Sequence, residues 1–200
     1  QEKLSTVGMT VSFNDKSFEI LQKREVDPEY FSFTMTDEEY GILEKIEHVS
    51  PVAYLAGHAR FALGIVTGNN KKYISQIKTD ENEMILKGSD LLKYRFIPTQ
   101  NYIVFKPETF QQVAPVDFYR SPEKLLYRFI CNQLVFAYDN NQTLSLNSCN
   151  ILIPEVPGLG IKYVLAILNS RIAQYYFKKK FNSVKILRSH IEQIPIVCPE

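Results

Sequence analysis

EKLLYRFICNQLVFAYDNNQTLSLNSCNILIP, Glu123 to Pro154, is the stretch on which the reading of the fold turns. Lys124 to Ile130 is apolar and aromatic. Ser121-Pro122-Glu123 before it resembles a helix start, so the pattern alone admits strand or helix. The segment leads straight into a second apolar run, Leu134 to Tyr138, and this favours the strand. Asp139-Asn140-Asn141 then reads as a hairpin turn, because Asp and Asn side chains bond their own backbone and tolerate left-handed conformations. Thr143 to Ile153 returns as a strand.

Upstream, the same texture of short strands and turns holds from Arg60 onward. Phe61 to Val66 is an apolar run closed by Gly68-Asn69. Met84 to Leu86 leads to a turn at Lys87-Gly88-Ser89-Asp90, and Asn101 to Phe105 is a strand stopped before Pro107. Residues 1–35 alternate irregularly, with Val7, Met9, Val11 and Phe13 at period two and a turn at Asn14-Asp15. They predict a strand or an extended arm. Thr36-Asp37-Glu38-Glu39 is a capping box, in which Thr36 accepts from the amide of Glu39 and the Glu39 carboxylate reaches back. The helix it opens runs to about Ile46, with Tyr40, Leu43 and Ile46 on one face, and Pro51 ends the segment.

Downstream, Pro154, Pro157, Gly158 and Gly160 break the chain. Ile161 to about Phe181 then predicts one long helix, with Ile161, Leu165, Leu168, Ile172, Tyr175 and Tyr176 on a single stripe. Leu165, Leu168 and Ile172 are assigned to the core. Lys178, Lys179 and Lys180 fall in the last turn, where cations favour the helix dipole. Ile186, Leu187, Ile191, Ile194 and Ile196 form a final packing segment. The fold class is α+β: strand-rich, with a long C-terminal helix packed on the sheet.

Bulk properties narrow the function. The chain has 200 residues, 45% hydrophobic and 22% charged, a globular composition sized for one ordinary domain. Phe 13 and Tyr 12 with Trp 0 supply aromatic surface for core and contact. No apolar run is long enough for a transmembrane helix. No signal segment opens the chain, and Gln1 reads as a cut inside a longer one. Cys131, Cys149 and Cys198 are widely spaced, which argues against zinc or a disulfide framework and for reduced thiols in a cytoplasmic protein. His48, His58 and His190 lack metal-ligand spacing. The net charge of +1 hides an asymmetry: residues 1–50 hold 11 acids and 5 bases, whereas residues 156–191 hold 7 bases and no acid. Such a front and back fit a polyanion partner or a solvated helix face.

Catalytic constellations are missing. Gly158-Leu159-Gly160 is half a dinucleotide fingerprint, with Tyr163 at the third glycine position, and a simple chain reversal explains it better. There is no phosphate loop, no D/E-x-K pair of metal-dependent nucleases and no Pro-Pro-aromatic tetrapeptide for amino-group methylation. Ser148 and Cys149 have no base that the sequence reveals. The chain reads as a binder, with no catalytic residue, no metal and no cofactor of its own.

Three polar loops are the binding candidates. In GIVTGNNKKYI, Gly68 can take a positive φ and Asn69 tolerates it, so Thr67 to Asn70 turns sharply and pushes Asn70, Lys71 and Lys72 off the end of a sheet. KGSDLLKYRF offers Lys87, Ser89, Lys93 and Arg95, with Tyr94 interleaved. Arg128 to Ser148 offers Arg128, Asn132, Asn147 and Ser148. Asn reads adenine bidentately, and Lys or Arg binds phosphate or a guanine edge. Taken singly, each is a solvated turn in most proteins; together they suggest nucleic acid.

The succession LGIVTGNNKKYI, ILKGSDLLKYRF, EKLLYRFICNQLVFAYDNNQTLSLNSCNILIP, YVLAILNSRIAQYYFKKKFN and ILRSHIEQIPI resembles the TaqI-like C-terminal specificity domain. That is the target recognition domain of adenine-N6 DNA methyltransferases and fused restriction-modification enzymes. It is similar to the recognition domains of type I specificity subunits. The resemblance covers roughly residues 50 to 197. Its most specific pieces are GIVTGNN, the F-A-Y-D…L-N-S hairpin, and L-N-S-R followed by I-E-Q-I-P-I. It implies double-stranded DNA as partner, read in the major groove. A covalently linked methyltransferase domain would carry S-adenosylmethionine and flip the adenine. On this reading residues 1–50 connect to that domain and residues 51–200 recognise DNA. Thr67, Gly68, Asn69, Asn70, Lys71, Lys72, Lys93, Arg95, Arg128, Asn132, Asn147 and Ser148 are the DNA-binding candidates. Lys178, Lys179 and Lys180 are candidate phosphate contacts. Two rivals remain: an assembly module of a type I-like specificity subunit, and a hydrolase whose pocket would hold His near Ser or Cys.

Overall fold

The computed structural model describes residues 7–13, 15–21 and 35–199. In chain order the elements are β1 (Thr10–Phe13), β2 (Lys16–Glu19), α1 (Asp37–Glu47), β3 (Val52–Ala53), β4 (Ala59–Ala62), α2 (Asn70–Tyr73), β5 (Ile74–Ser75), β6 (Glu83–Leu86), β7 (Tyr102–Ile103) and α3 (Val116–Tyr119). They continue with β8 (Lys124–Arg128), β9 (Phe136–Asp139), β10 (Leu144–Ser145), β11 (Cys149–Pro154), α4 (Ile161–Leu168), α5 (Arg171–Lys180), α6 (Arg188–Glu192) and β12 (Ile196–Val197). The class is α+β, as expected from the sequence.

A four-stranded antiparallel sheet in the order β4-β11-β8-β9 divides the molecule. Side chains alternate across it, as the pleat requires. Leu125, Tyr127, Phe136 and Leu152 join Val164, Leu165, Leu168, Ala173, Tyr176, Phe177 and Ile191 of the helices in one core. Leu126, Ala137, Ile151 and Ile153 join Ile85, Leu86, Ile103 and Leu144 in a second core. The second core is closed by another four-stranded sheet, β10-β6-β7-β5. The result is three layers: helices, central sheet, outer sheet.

The stretch Lys124 to Ile153 is strand-forming, with two corrections: the expected single strand Thr143 to Ile153 is divided into β10 and β11, which belong to different sheets, and the turn before it joins layers. Asp139-Asn140-Asn141 is not a hairpin turn within one sheet. β9 pairs with β8, and after the turn β10 pairs in parallel with β6 of the outer sheet. The turn is a crossover between layers. The chain then returns to the central sheet, where β11 lies between β4 and β8.

The C-terminal helical stretch is also divided. Asn169 ends α4, and Ser170 caps α5 by accepting from the amide of Ala173 at 3.0 Å. The break shifts the helical phase. Leu165 and Leu168 are buried as expected, but Ile172 is 61% exposed, and Ala173, Tyr176 and Phe177 take the inward face of α5. In the final segment Ile186, Ile191, Ile194 and Ile196 are buried, while Leu187 is exposed.

The capping box of α1 is present, with Thr36 accepting from Glu39 N and Glu39 accepting from Thr36 N. Met35 and Leu43 belong to the helical core. In the N-terminal stretch, β1 and β2 pair antiparallel. Asn14 of the expected turn, residues 1–6 and residues 22–34 of the expected arm lie outside the described residues. Among the described residues, no helix is long and apolar enough to cross a membrane.

Candidate nucleic-acid interface

Strand register collects the polar loops at one end of the central sheet. Arg128, the last residue of β8, pairs with Cys149, the first of β11, and Ala62, the last of β4, pairs with Ile151. The segments that follow β4 and β8 and precede β11 therefore leave the sheet together. Asn147 N donates to Ile65 O at 3.1 Å, and Phe129 N donates to Ser148 O at 3.2 Å. The turn after β6 is locked to them. Gly88 N donates to Ser148 Oγ at 3.0 Å, and a Cβ on Gly88 would stand 2.4 Å from Ser148 O, so only glycine lets these backbones meet. An Arg128 Nη2 bond to Leu91 O ties β8 to the same turn. Arg128 Nε is enclosed and has no hydrogen-bond partner among the described residues.

The GIVTGNNKKYI turn is more ordered than a hairpin end. Gly68 has φ +77°, the left-handed conformation expected for it. Asn69 is instead extended at φ −154° and caps the single helical turn α2 by accepting from Lys72 N at 3.2 Å. Thr67 is buried; its hydroxyl accepts from Asn69 N and donates to Asn70 Oδ1 at 2.6 Å. Lys71 and Lys72 lie on α2 and are exposed, with the Lys72 ammonium 4.9 Å from the Tyr73 ring centre.

Lys93 and Arg95 stand elsewhere, flanking Tyr94 on the outer edge of β9. Tyr94 N donates to Phe136 O, Tyr138 N donates to Tyr94 O, and Tyr94 has φ 76°. Lys93 Nζ is used internally, donating to Asn169 O at 2.8 Å. Arg95 is exposed, as are Asn132 and Asn147. Lys178, Lys179 and Lys180 lie on the helical layer at the end of α5. There Lys179 meets Glu39, and Lys180 meets Glu47 and Tyr176 at 2.7 and 2.8 Å. The Lys179 ammonium, despite partial burial of the carboxylate, holds Glu39 below the ordinary glutamate range.

The structure thus sorts the candidates by whether their polar groups are already used. Thr67, Asn69, Asn70, Lys93, Arg128 and Ser148 bond within the protein; Lys71, Lys72, Arg95, Asn132 and Asn147 present exposed side chains, of which Asn132 Oδ1 also accepts from Cys131 Sγ at 4.0 Å. The sequence reading missed the segment Thr109 to Gln112, which runs beside the Gly68 turn. Val66 and Gln112 exchange both backbone bonds, at 2.9 and 3.0 Å. Two adjacent exposed amides, Gln111-Gln112, were its only signal.

Among the described residues, no catalytic grouping emerges elsewhere. An open cleft between α1, β3, α5 and α6 is lined by Glu47, Tyr54, His58, Tyr176, Lys180 and Glu192, among others, but by no Ser or Cys. Burial pushes the Cys149 thiol far up, so it is an inert core group. His190 is buried against Phe181, and desolvation lowers its pKa against a backbone hydrogen bond at Lys185. Among the described residues, no group of His, Cys, Asp and Glu is arranged to hold a metal.

Comparison with models of known families matches the TaqI-like C-terminal specificity domain over residues 83–196. No curated protein matches the chain. Lys93, Arg95, Arg128, Asn132, Asn147, Ser148 and Lys178 to Lys180 fall inside the matched stretch, whereas Thr67 to Lys72 precede it.

Proposed function

Because this chain belongs to the TaqI-like C-terminal specificity domain family, we propose that it is the sequence-reading part of a restriction-modification enzyme that methylates adenine N6. It binds double-stranded DNA from the major-groove side. A covalently linked methyltransferase domain binds S-adenosylmethionine and acts on the extruded adenine. The observation that carries this reading is the convergence of the 63–72, 87–91, 129–133 and 146–148 segments at one end of the central sheet. Lys71 and Lys72 at that end, and Arg95 from the edge of β9, serve as phosphate or guanine contacts, and Asn132 and Asn147 as base readers. Thr67, Gly68, Asn69, Asn70, Lys93, Arg128 and Ser148 hold the loops that carry them.

Selection of bound sites from a random duplex library, at low and near-physiological salt, tests the proposal. One short enriched motif is the expected result, and Lys71→Ala with Lys72→Ala should lower the salt slope of binding by up to about 2. Absence of binding at both salts would overturn it. The second reading, an assembly module of a specificity subunit, would then lead. It has its own observation: Ile130 and Val184 are 65% and 61% exposed, and the bonds of Cys131 N to Val184 O and of Ile186 N to Phe129 O set them on neighbouring backbones.

A further inference from the structure

Gln111 is built into the candidate interface although, among the described residues, its side chain makes no bond that shapes the fold. Its neighbours are anchored on both sides. Phe110 is buried and meets Tyr73 edge-on at 5.5 Å between ring centres. Gln112 forms the double backbone pair with Val66. The Tyr73 hydroxyl donates to Thr109 O at 2.8 Å, tying α2 to the same segment. Gln111 itself is exposed, and its side chain lies over the Gly68 turn. A Cβ on Gly68 would stand 3.2 Å from both Cβ and Oε1 of Gln111. The missing side chain at Gly68 leaves the room in which the Gln111 amide sits, at the turn that leads into α2.

We infer that Gln111 is a specificity-determining residue and that the Thr109 to Gln112 segment is a fourth recognition loop, which reads an adenine edge together with the Gly68 turn. This rests on the DNA-reading function proposed above. A primary amide offers one donor and one acceptor in the arrangement that matches adenine N7 and N6 in the major groove. Such readout needs the amide held before the DNA arrives, since ordering a free glutamine costs entropy. Anchoring at Phe110 and Gln112 supplies that order in the backbone. Lys71 and Lys72, one turn away on α2, place positive charge where the flanking phosphates would run.

The test compares site selection by the unaltered chain, Gln111→Ala and Gln111→Glu on one random duplex library. The unaltered chain should enrich a motif with adenine at a fixed position. Gln111→Ala should lose discrimination at that position alone, by about 5- to 150-fold. Gln111→Glu, which accepts but cannot donate, should shift the preference there toward cytosine, whose amino group it can bind. A motif unchanged in both variants overturns the inference and leaves the proposed function standing. No motif for the unaltered chain overturns both. A motif lost at every position in both variants also overturns the inference, since Gln111 would then support the loop and read nothing.

Discussion

Asp139 and Lys124 form an ion pair at 2.6 Å in which both side chains have 0% exposure. Burial pulls the Lys124 ammonium below the ordinary lysine value, against the attraction of Asp139. Further hydrogen bonds support the pair on both sides. Lys124 Nζ donates to Tyr119 O at 2.9 Å, while Asp139 accepts from Asn141 N, Thr143 N and Thr143 Oγ1 at 2.9–3.0 Å. The carboxylate thus shapes the crossover from β9 to β10 and neutralises a cation from the neighbouring strand. Asp139→Asn should cost about 3–5 kcal/mol, because it strands a buried ammonium. Adding Lys124→Met should restore part of the loss, since the crossover amides would still lack a charged acceptor. Denaturant midpoints of the single and double variants check this, and additive losses would show that the pair is not coupled. The sequence marked Asp139 as a turn former, and it is one. That it also meets Lys124 depends on β8–β9 register, which a residue pattern does not state.

Asn169 shows the same logic at the scale of an element. Its amide copies a strand edge: Oδ1 accepts from Phe136 N at 3.0 Å and Nδ2 donates to Phe136 O at 2.9 Å. A helix terminus is thereby bonded to β9, and α4 is held to the central sheet by more than apolar contact. Asn169→Ala should cost about 1–3 kcal/mol, because Phe136 N loses its acceptor in a buried setting, whereas Phe136 O keeps the amide of Tyr94. Ser170→Ala, which removes only the cap of α5, should cost about 1 kcal/mol. Equal small losses in thermal or denaturant unfolding would mean that water replaces the amide at β9. This junction was the least legible element. Leu165, Leu168 and Ile172 fit one uninterrupted stripe, yet Asn169-Ser170 is itself a cap signature placed within it. The apolar period suppressed a polar signal that was present. The α1 boundary was legible for the opposite reason: its capping box and apolar face agree.

The charge asymmetry of the chain is closed in part within the fold. The acidic first fifty residues and the basic C-terminal stretch suggested a polyanion partner for the back half. In the structure α1 packs on α5, and Glu39 and Glu47 of the one meet Lys179 and Lys180 of the other. Arg188 pairs with Glu192 at 2.8 Å in the same layer. Among the described residues, the cations of α2, at the sheet end where the loops converge, have no such acidic helix against them. This separation yields a prediction about where DNA-binding charge resides. Lys179→Ala with Lys180→Ala should lower stability by about 0.5–2 kcal/mol, the sum of two partly buried pairs. It should leave the salt slope of DNA binding unchanged, because lysines already neutralised by carboxylates displace few counterions. Lys71→Ala with Lys72→Ala should do the reverse, lowering the slope while leaving stability near that of the unaltered chain. Parallel binding titrations over salt and denaturant melts of both double variants decide the matter. A lowered slope with unchanged stability for Lys179 and Lys180 would move the phosphate path onto the helical layer, away from the loops.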